Sequence, residues 1–246
     1  MKENKYDDDE FFVQYSRFPR SVDGLSLAGE WHEFRKLLPN FQGKKVLDIG
    51  CGFGWHCLHA AENGAAEVVG IDISEKMLKV ANQKNEFSNV SYRQIAMEDM
   101  EFADDSFDVV ISSLAFHYTP SFEDICDRIS GFLKPGGEFV FSVEHPVYTA
   151  CGTQDWIYSD NGEPAHWPVD DYFVEGERDA FFLGEHIIKY HKTLTSYLQT
   201  LLNTGFEITA VVEPKPEDRL LKAVTDMKDE LRRPMMLLVS SMLKYF

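Results

Sequence analysis

From Lys44 to about Val143 the chain alternates short, almost continuously apolar runs with longer stretches whose apolar residues recur at helical spacing. The short runs are Lys45-Val46-Leu47-Asp48-Ile49, Glu67-Val68-Val69-Gly70-Ile71, Val90 to Gln94, Phe107 to Ser112 and Glu138 to Val143. Such runs suit parallel strands covered on both faces. Between them, Ser74 has the chemistry of a helix N-cap for Met77, Leu78 and Ala81, and Gly64 stops the helix before it. Regular strand–helix alternation predicts a doubly wound parallel sheet. Upstream, Trp31, Phe34 and Leu38 mark a helix over about 28–38 that Pro39 ends. Downstream, residues 145–191 lose the rhythm: Tyr148, Trp156, Tyr158, Trp167, Phe173, Phe181 and Tyr190 are scattered among Gly, Pro and Asp. A segment this long and aromatic reads as a lid or as a dimer contact rather than a simple loop. The pattern then predicts a helix over 193–203, a strand from Phe206 to Glu213 and a last strand near Met235 to Ser241.

A chain of 246 residues suits one α/β domain with an insertion. Its formal charge of −17 repels polyanions on average, and its longest basic cluster is only Arg232-Arg233, so a nucleic-acid partner is disfavoured. No run of about 18 apolar residues appears, so no membrane helix is expected. The first ten or so residues are acidic and read as disordered; they lack the apolar core of a secretory signal, and a cytoplasmic protein is expected. Cys51, Cys57, Cys126 and Cys151 form no Cys-x-x-Cys pair, so they read as buried thiols and no metal site is expected.

The chemistry concentrates in Asp48-Ile49-Gly50-Cys51-Gly52-Phe53-Gly54-Trp55. A strand ends, a glycine turn lets a ligand approach the backbone, and a helix begins whose free N–H groups face that ligand. A dinucleotide fingerprint requires a third glycine where Trp55 stands, which disfavours a nicotinamide-dependent oxidoreductase. Asp48 before the turn suits a ligand carrying an ammonium group better than a pyrophosphate; its plainer role is to cap the turn. Asp72 follows at the spacing of a ribose-binding acid, with a plain helix-start acid as the alternative.

These residues resemble the class I S-adenosylmethionine-dependent methyltransferases, within them the type-11 group that includes the ubiquinone/menaquinone methyltransferases. The family motif Asp-x-Gly-x-Gly-x-Gly is matched by Asp48, Gly50, Gly52 and Gly54; Asp104 to Val110 and Lys134-Pro135-Gly136-Gly137 are similar to its later signatures. The resemblance implies a mostly parallel seven-stranded Rossmann-like sheet with an antiparallel edge strand and an inserted aromatic lid. It divides the chain into a tail and cofactor-covering helices (1–43), a core (44–144), an acceptor-side insert (145–192) and a C-terminal completion of the core (193–246). It implies S-adenosyl-L-methionine as cofactor, S-adenosyl-L-homocysteine as product, and Asp72 on the ribose hydroxyls. Ala96 stands where the family carries the Asp that binds the adenine amino group, so Glu98 or Asp99 is expected to substitute in a shifted turn, with Met97 packing on adenine and offering its backbone N–H. Cys51, Ile73, Met77 and Ser112 complete the implied cofactor set, Met77 and Met97 being equally readable as core. Tyr15 and Arg17 are candidates for the methionine carboxylate, with surface solvation as the alternative.

Ligands of such sheets bind beyond the carboxyl ends of the strands. The acceptor candidates there are Ser112, Ser113, Phe116, His117, Tyr118, Glu144 and His145, with His145 preferred as base and Glu144 or His117 in support; hydrogen-bonded structural histidines are the plain alternative. His186, Tyr190 and His191 of the insert are further candidates. The reading is methyl transfer to a small-molecule acceptor by a monomer or homodimer. Protein or nucleic-acid methylation and a cofactor-binding module without turnover remain alternatives.

Overall fold

The computed structural model describes residues 4–223 and 225–245. The N-terminal helices are α1 (Asp9–Ser16), α2 (Pro19–Val22) and α3 (Trp31–Leu37). The core then runs β1 (Lys45–Ile49), α4 (Trp55–Glu62), β2 (Glu67–Asp72), α5 (Glu75–Lys84), β3 (Val90–Gln94), β4 (Phe107–Ser113), α6 (Phe122–Phe132) and β5 (Leu133–Glu144). The insert holds α7 (Pro146–Thr149) and two hairpins, β6 (Ile157–Tyr158) with β7 (Pro164–His166), and β8 (Gly176–Phe182) with β9 (Glu185–His191). The C-terminal part adds α8 (Leu194–Asn203), β10 (Phe206–Val212), α9 (Asp218–Ala223), a 3₁₀ segment Thr225–Arg232 and β11 (Met236–Leu243).

One seven-stranded sheet carries the fold, in the order β10-β11-β5-β4-β1-β2-β3. The five core strands pair in parallel, whereas β11 runs against both β5 and β10 and so sits one place in from the edge. The continuous apolar runs follow from coverage on both faces. Leu47 and Ile49 of β1 face the cluster beneath α6 and α8, while Val46 faces the cluster beneath α3 and α4; Phe139 and Phe141 against Val140 repeat the division in β5. Ser74 caps α5 by accepting the Met77 N–H at 3.1 Å, as its type predicts. No helix among the described residues is long and apolar enough to cross a membrane.

The acidic N-terminus departs from expectation. Lys5–Asp7 form a 3₁₀ turn and α1 begins at Asp9. These aspartates cap helices. Asp8 accepts the Glu10 and Phe11 N–H groups at 3.0 Å each, starting α1, and Asp7 accepts the Ser74 hydroxyl (2.6 Å) and the Lys76 N–H (3.1 Å) at the start of α5. Carboxylates at helix N-termini gain both donors and a favourable dipole. Phe11, Ala180 and Ile187 then form a small third core, so α1 and the β8–β9 hairpin are packed together over the strand ends.

Candidate functional site

Beyond the carboxyl ends of β1, β2 and β4 lies a cavity of about 590 Å³. Its floor is the turn after β1. Gly50, Gly52 and Gly54 have φ of +69°, +52° and +77°, a region that glycine alone enters without strain. A Cβ on Gly50 would lie 2.5 Å from that of Ala115, whereas one on Gly52 would meet nothing within 4 Å, because that position opens into the cavity. The Gly50 and Cys51 N–H groups donate to the Ile71 carbonyl at 2.9 and 3.0 Å, tying the turn to β2. Asp72 ends β2 and is fixed by two backbone donors, Gly52 N–H at 2.8 Å and Ser74 N–H at 2.9 Å. Burial raises its pKa and those two donors oppose the rise. Its carboxylate lines the cavity with capacity for further donors. Ile73, Met77, Ala96, Met97 and Glu98 complete this end.

Along the wall, Ser113 donates to Glu30 Oε1 at 3.3 Å, and the Arg20 guanidinium donates to the same oxygen at 3.2 Å. Arg20, Gly29 and Tyr15 face the cavity here. The next residue, Leu114, has φ +54°, a strained setting for a branched side chain, and it places Ala115, His117 and Tyr118 on the cavity. His117 is almost completely buried, and burial pushes its pKa down to about 4, so the imidazole is neutral at pH 7. Its Nδ1 has no hydrogen-bond partner among the described residues. The Tyr6 and Tyr118 hydroxyls lie 3.1 Å apart. At the far end Glu144 of β5 meets Lys189 of β9 at 2.6 Å; Gln154 donates to Glu144 at 2.7 Å and accepts from Lys189 at 2.9 Å. Burial alone would raise the Glu144 pKa, but Lys189 and His117 hold it below the usual carboxylate range. Phe182, Leu220, Met227, Met235 and Met236 surround this end, with Glu230 among them.

The methyltransferase domain family matches residues 47–141. A solved S-adenosylmethionine-dependent methyltransferase from Listeria monocytogenes is 53% identical, covering 88% of this chain and 99% of that one with a TM-score of 0.83. Another, from Mesorhizobium loti, is 40% identical with the same TM-score, over 89% of this chain and all of its own. An uncharacterized Haemophilus influenzae protein is 33% identical over 96% of this chain and 95% of its own length. This chain belongs to the class I S-adenosylmethionine-dependent methyltransferases, type-11 group.

The methyltransferase's own residues fit that cofactor. The open space above Gly52 admits a ligand against bare backbone, the fixed Asp72 carboxylate suits vicinal hydroxyls, and Met77 and Met97 offer apolar, polarizable surfaces for a flat base. Of the positions named from sequence, Gly50, Gly52, Asp72, Ile73, Met77, Ala96, Met97, Glu98, Tyr15, Ser113, His117, Tyr118 and Glu144 line the cavity.

Others do not. Asp48 is wholly buried beneath the turn, where Oδ2 accepts the Cys57 thiol at 3.2 Å and burial raises the pKa to about 7. Cys51 is buried with Cys57 around Gly70, and Gly54 packs on the Tyr92 ring. Trp55 turns away, packing on Gly24 with Lys84 over its ring. Ser112 donates to the Ile49 carbonyl at 2.8 Å inside the sheet, and its neighbour Ser113 faces the cavity instead. Arg17 is the exposed cap of α1; Arg20 holds the wall position. His145 is directed away: Nδ1 caps α7 by accepting the Val147 N–H at 3.0 Å, and Nε2 lies 2.8 Å from Glu213. His186 pairs with Asp179 on the surface, and His191 is held between Thr149 and the Tyr172 carbonyl.

Sequence reasoning missed Tyr6, Arg20, Lys189 and Glu230. Lys189 had a signal: β9 buries alternate positions Ile187, Lys189 and His191, so a lysine falls on the inward phase of a strand.

Proposed function

We propose that this methyltransferase acts on a small-molecule acceptor, with His117 receiving the proton that the acceptor's nucleophile loses. The observation that carries the reading is the shape of the site. One cavity joins the glycine turn to His117 and Glu144, and it is covered by Tyr6 and Tyr15 from the N-terminus, Phe182 from the insert and Leu220 and Met227 from the C-terminal part. A cavity of about 590 Å³ falls within the usual range of small-ligand sites, roughly 300–1,000 Å³. The charge of −17 argues against a polyanionic acceptor.

The donor supplies an electrophilic methyl on a sulfonium that leaves readily. The chain's task is to hold both partners in line and exclude water; good orientation lowers barriers by about 7–11 kcal/mol. Asp72 would take the ribose hydroxyls, Met77, Met97 and Glu98 would hold the base, and the Arg20–Glu30 pair would suit the oppositely charged amino-acid end. His117 is neutral at pH 7 and so keeps a ring-nitrogen lone pair free for a proton, although burial makes it a weaker base than an exposed histidine, and its buried unpartnered Nδ1 leaves hydrogen-bonding capacity that the fold itself does not satisfy. Glu144 lines the same end without being free to act as a base, because Lys189 and Gln154 occupy it.

The test is transfer of isotope-labelled methyl from S-adenosylmethionine into a cell extract separated into small-molecule, RNA and protein fractions. Label is expected in the small-molecule fraction. Label confined to RNA or protein would overturn the proposal.

A further inference from the structure

We infer that the acceptor is an uncharged molecule with an apolar body, selected by a closed ion pair, Glu144–Lys189, that ends the cavity; this rests on the small-molecule reading above. Three charged side chains line the acceptor end, Glu144, Lys189 and Glu230, and each has an opposite charge as its partner. Glu144 and Lys189 are both largely buried. With Gln154 they form a ring of three hydrogen bonds in which both Glu144 oxygens and the Gln154 carbonyl oxygen are taken. Glu230 faces Arg233 through two hydrogen bonds of 2.6 and 3.0 Å. The Arg233 guanidinium in turn lies 4.1 Å from the Trp167 ring centroid and 4.7 Å from that of Tyr148, which anchors it outside the cavity. His117 adds a neutral imidazole.

A ligand entering this end therefore finds charge already balanced. A carboxylate or an ammonium would lose its water without meeting a free counter-charge, and a desolvated, unpaired charge is heavily penalised. An uncharged ligand loses little, and Phe182, Leu220, Met227, Met235 and Met236 give it an apolar wall. Three thioethers, at 227, 235 and 236, adapt to varied outlines. Selection thus works by exclusion as much as by attraction.

Three probes of one shape separate the possibilities: 4-methylphenol, 4-methylbenzoate and 4-methylbenzylamine. Their binding to the intact protein saturated with S-adenosylhomocysteine is read by ligand-observed NMR titration. The wild type is expected to bind the phenol at least about tenfold more tightly than either ion, the penalty of leaving a buried group unpaired being at least about 1.4 kcal/mol. Glu144→Gln leaves an unbalanced ammonium and is expected to move preference toward the benzoate. Lys189→Met leaves an unbalanced carboxylate and is expected to move it toward the amine. The double variant restores neutrality, and with it the phenol preference, and it avoids a lone buried charge if either single variant folds poorly. A wild type that prefers an ion, or takes none of the three while holding S-adenosylhomocysteine, overturns the inference, as do folded single variants with unchanged order. Failure to hold S-adenosylhomocysteine at all would instead overturn the donor-site assignment.

Discussion

The two ends of the cavity are built in opposite ways. The donor end is local: Gly50, Gly52, Asp72, Ile73 and Ala96 to Glu98 lie at the ends of three adjacent strands, each held by backbone hydrogen bonds to the next. The end proposed for the acceptor is assembled from afar, with Tyr6, His117, Glu144, Lys189 and Glu230 contributed by five separate segments. A site made of backbone and strand ends is rigid and insensitive to side-chain change elsewhere. A site made of distant side chains can be respecified by altering one segment, which is how a single fold serves many acceptors. The two ends should accordingly respond to mutation in separable ways.

The largest effect is expected at the acceptor end. His117→Ala should lower kcat by about 10²–10⁴-fold, the usual contribution of a positioned proton acceptor, with S-adenosylhomocysteine affinity unchanged. The pH profile sharpens this assignment. An imidazole with a pKa near 4 stays neutral down to that pH, so kcat should be flat from pH 8 to 5 and fall only as pH drops through about 4. A histidine of ordinary pKa would lose activity below about 6.5. Next comes the donor end: Asp72→Ala should weaken S-adenosylhomocysteine binding by about 10²-fold or more, since two hydrogen bonds to a charged group are lost at roughly 1.5–3 kcal/mol each. Calorimetric titration reads this directly. A variant that binds normally would separate Asp72 from the ribose.

A subtler contrast lies beneath the turn. Asp48 belongs to the donor-end motif but touches no part of the cavity, and burial raises its pKa to about 7. An unfolded aspartate titrates near 3.9, so between about pH 4 and 7 the folded chain holds a proton that the unfolded chain has released, and stability falls as pH rises across that window. Asp48→Asn abolishes this titration. Its melting temperature relative to wild type should climb from pH 4 to 7 and level off above, by up to a few kcal/mol in stability. A difference that stays constant with pH would show that Asp48 is ionised throughout.

What was legible in the sequence follows the same division. The sheet and its seven strands could be read, as could the glycine turn and Asp72 that line one end of the cavity, because apolar periodicity and glycine turns act over a few residues. The acceptor end could be read only in part, because strand parity at the ends of β4 and β5 was not resolved. Successive strand residues point to opposite faces. Of Ser112 and Ser113 only the second reaches the cavity, and of Glu144 and His145 only the first, so naming both members of each pair was bound to be half right. The acidic N-terminus was misread as disordered because, although Asp8 caps α1 locally, Asp7 acts on a helix start 67 and 69 residues away, at Ser74 and Lys76. No local pattern announces such a partner.

The smallest expected effects fall at the junction of the two ends, where two arginines three residues apart differ in setting. Arg17 caps α1 in solvent, whereas Arg20 faces the cavity and holds Glu30 and, through it, Ser113. Arg20→Ala removes a cationic donor from the wall and leaves the buried Glu30 carboxylate with Ser113 alone. Binding of S-adenosylhomocysteine should weaken about tenfold, at the low end for a hydrogen bond to a charged group. Arg17→Ala should change affinity less than about twofold, as expected for an exposed charge. Calorimetry on both variants distinguishes a field effect from a contact. Equal losses would mean that positive charge near the entrance attracts the ligand from a distance, with strong salt dependence. A loss confined to Arg20 and insensitive to salt would place its guanidinium against the amino-acid end of the donor, and would make the short helix α2, rather than α1, the element by which the N-terminus grips the cofactor.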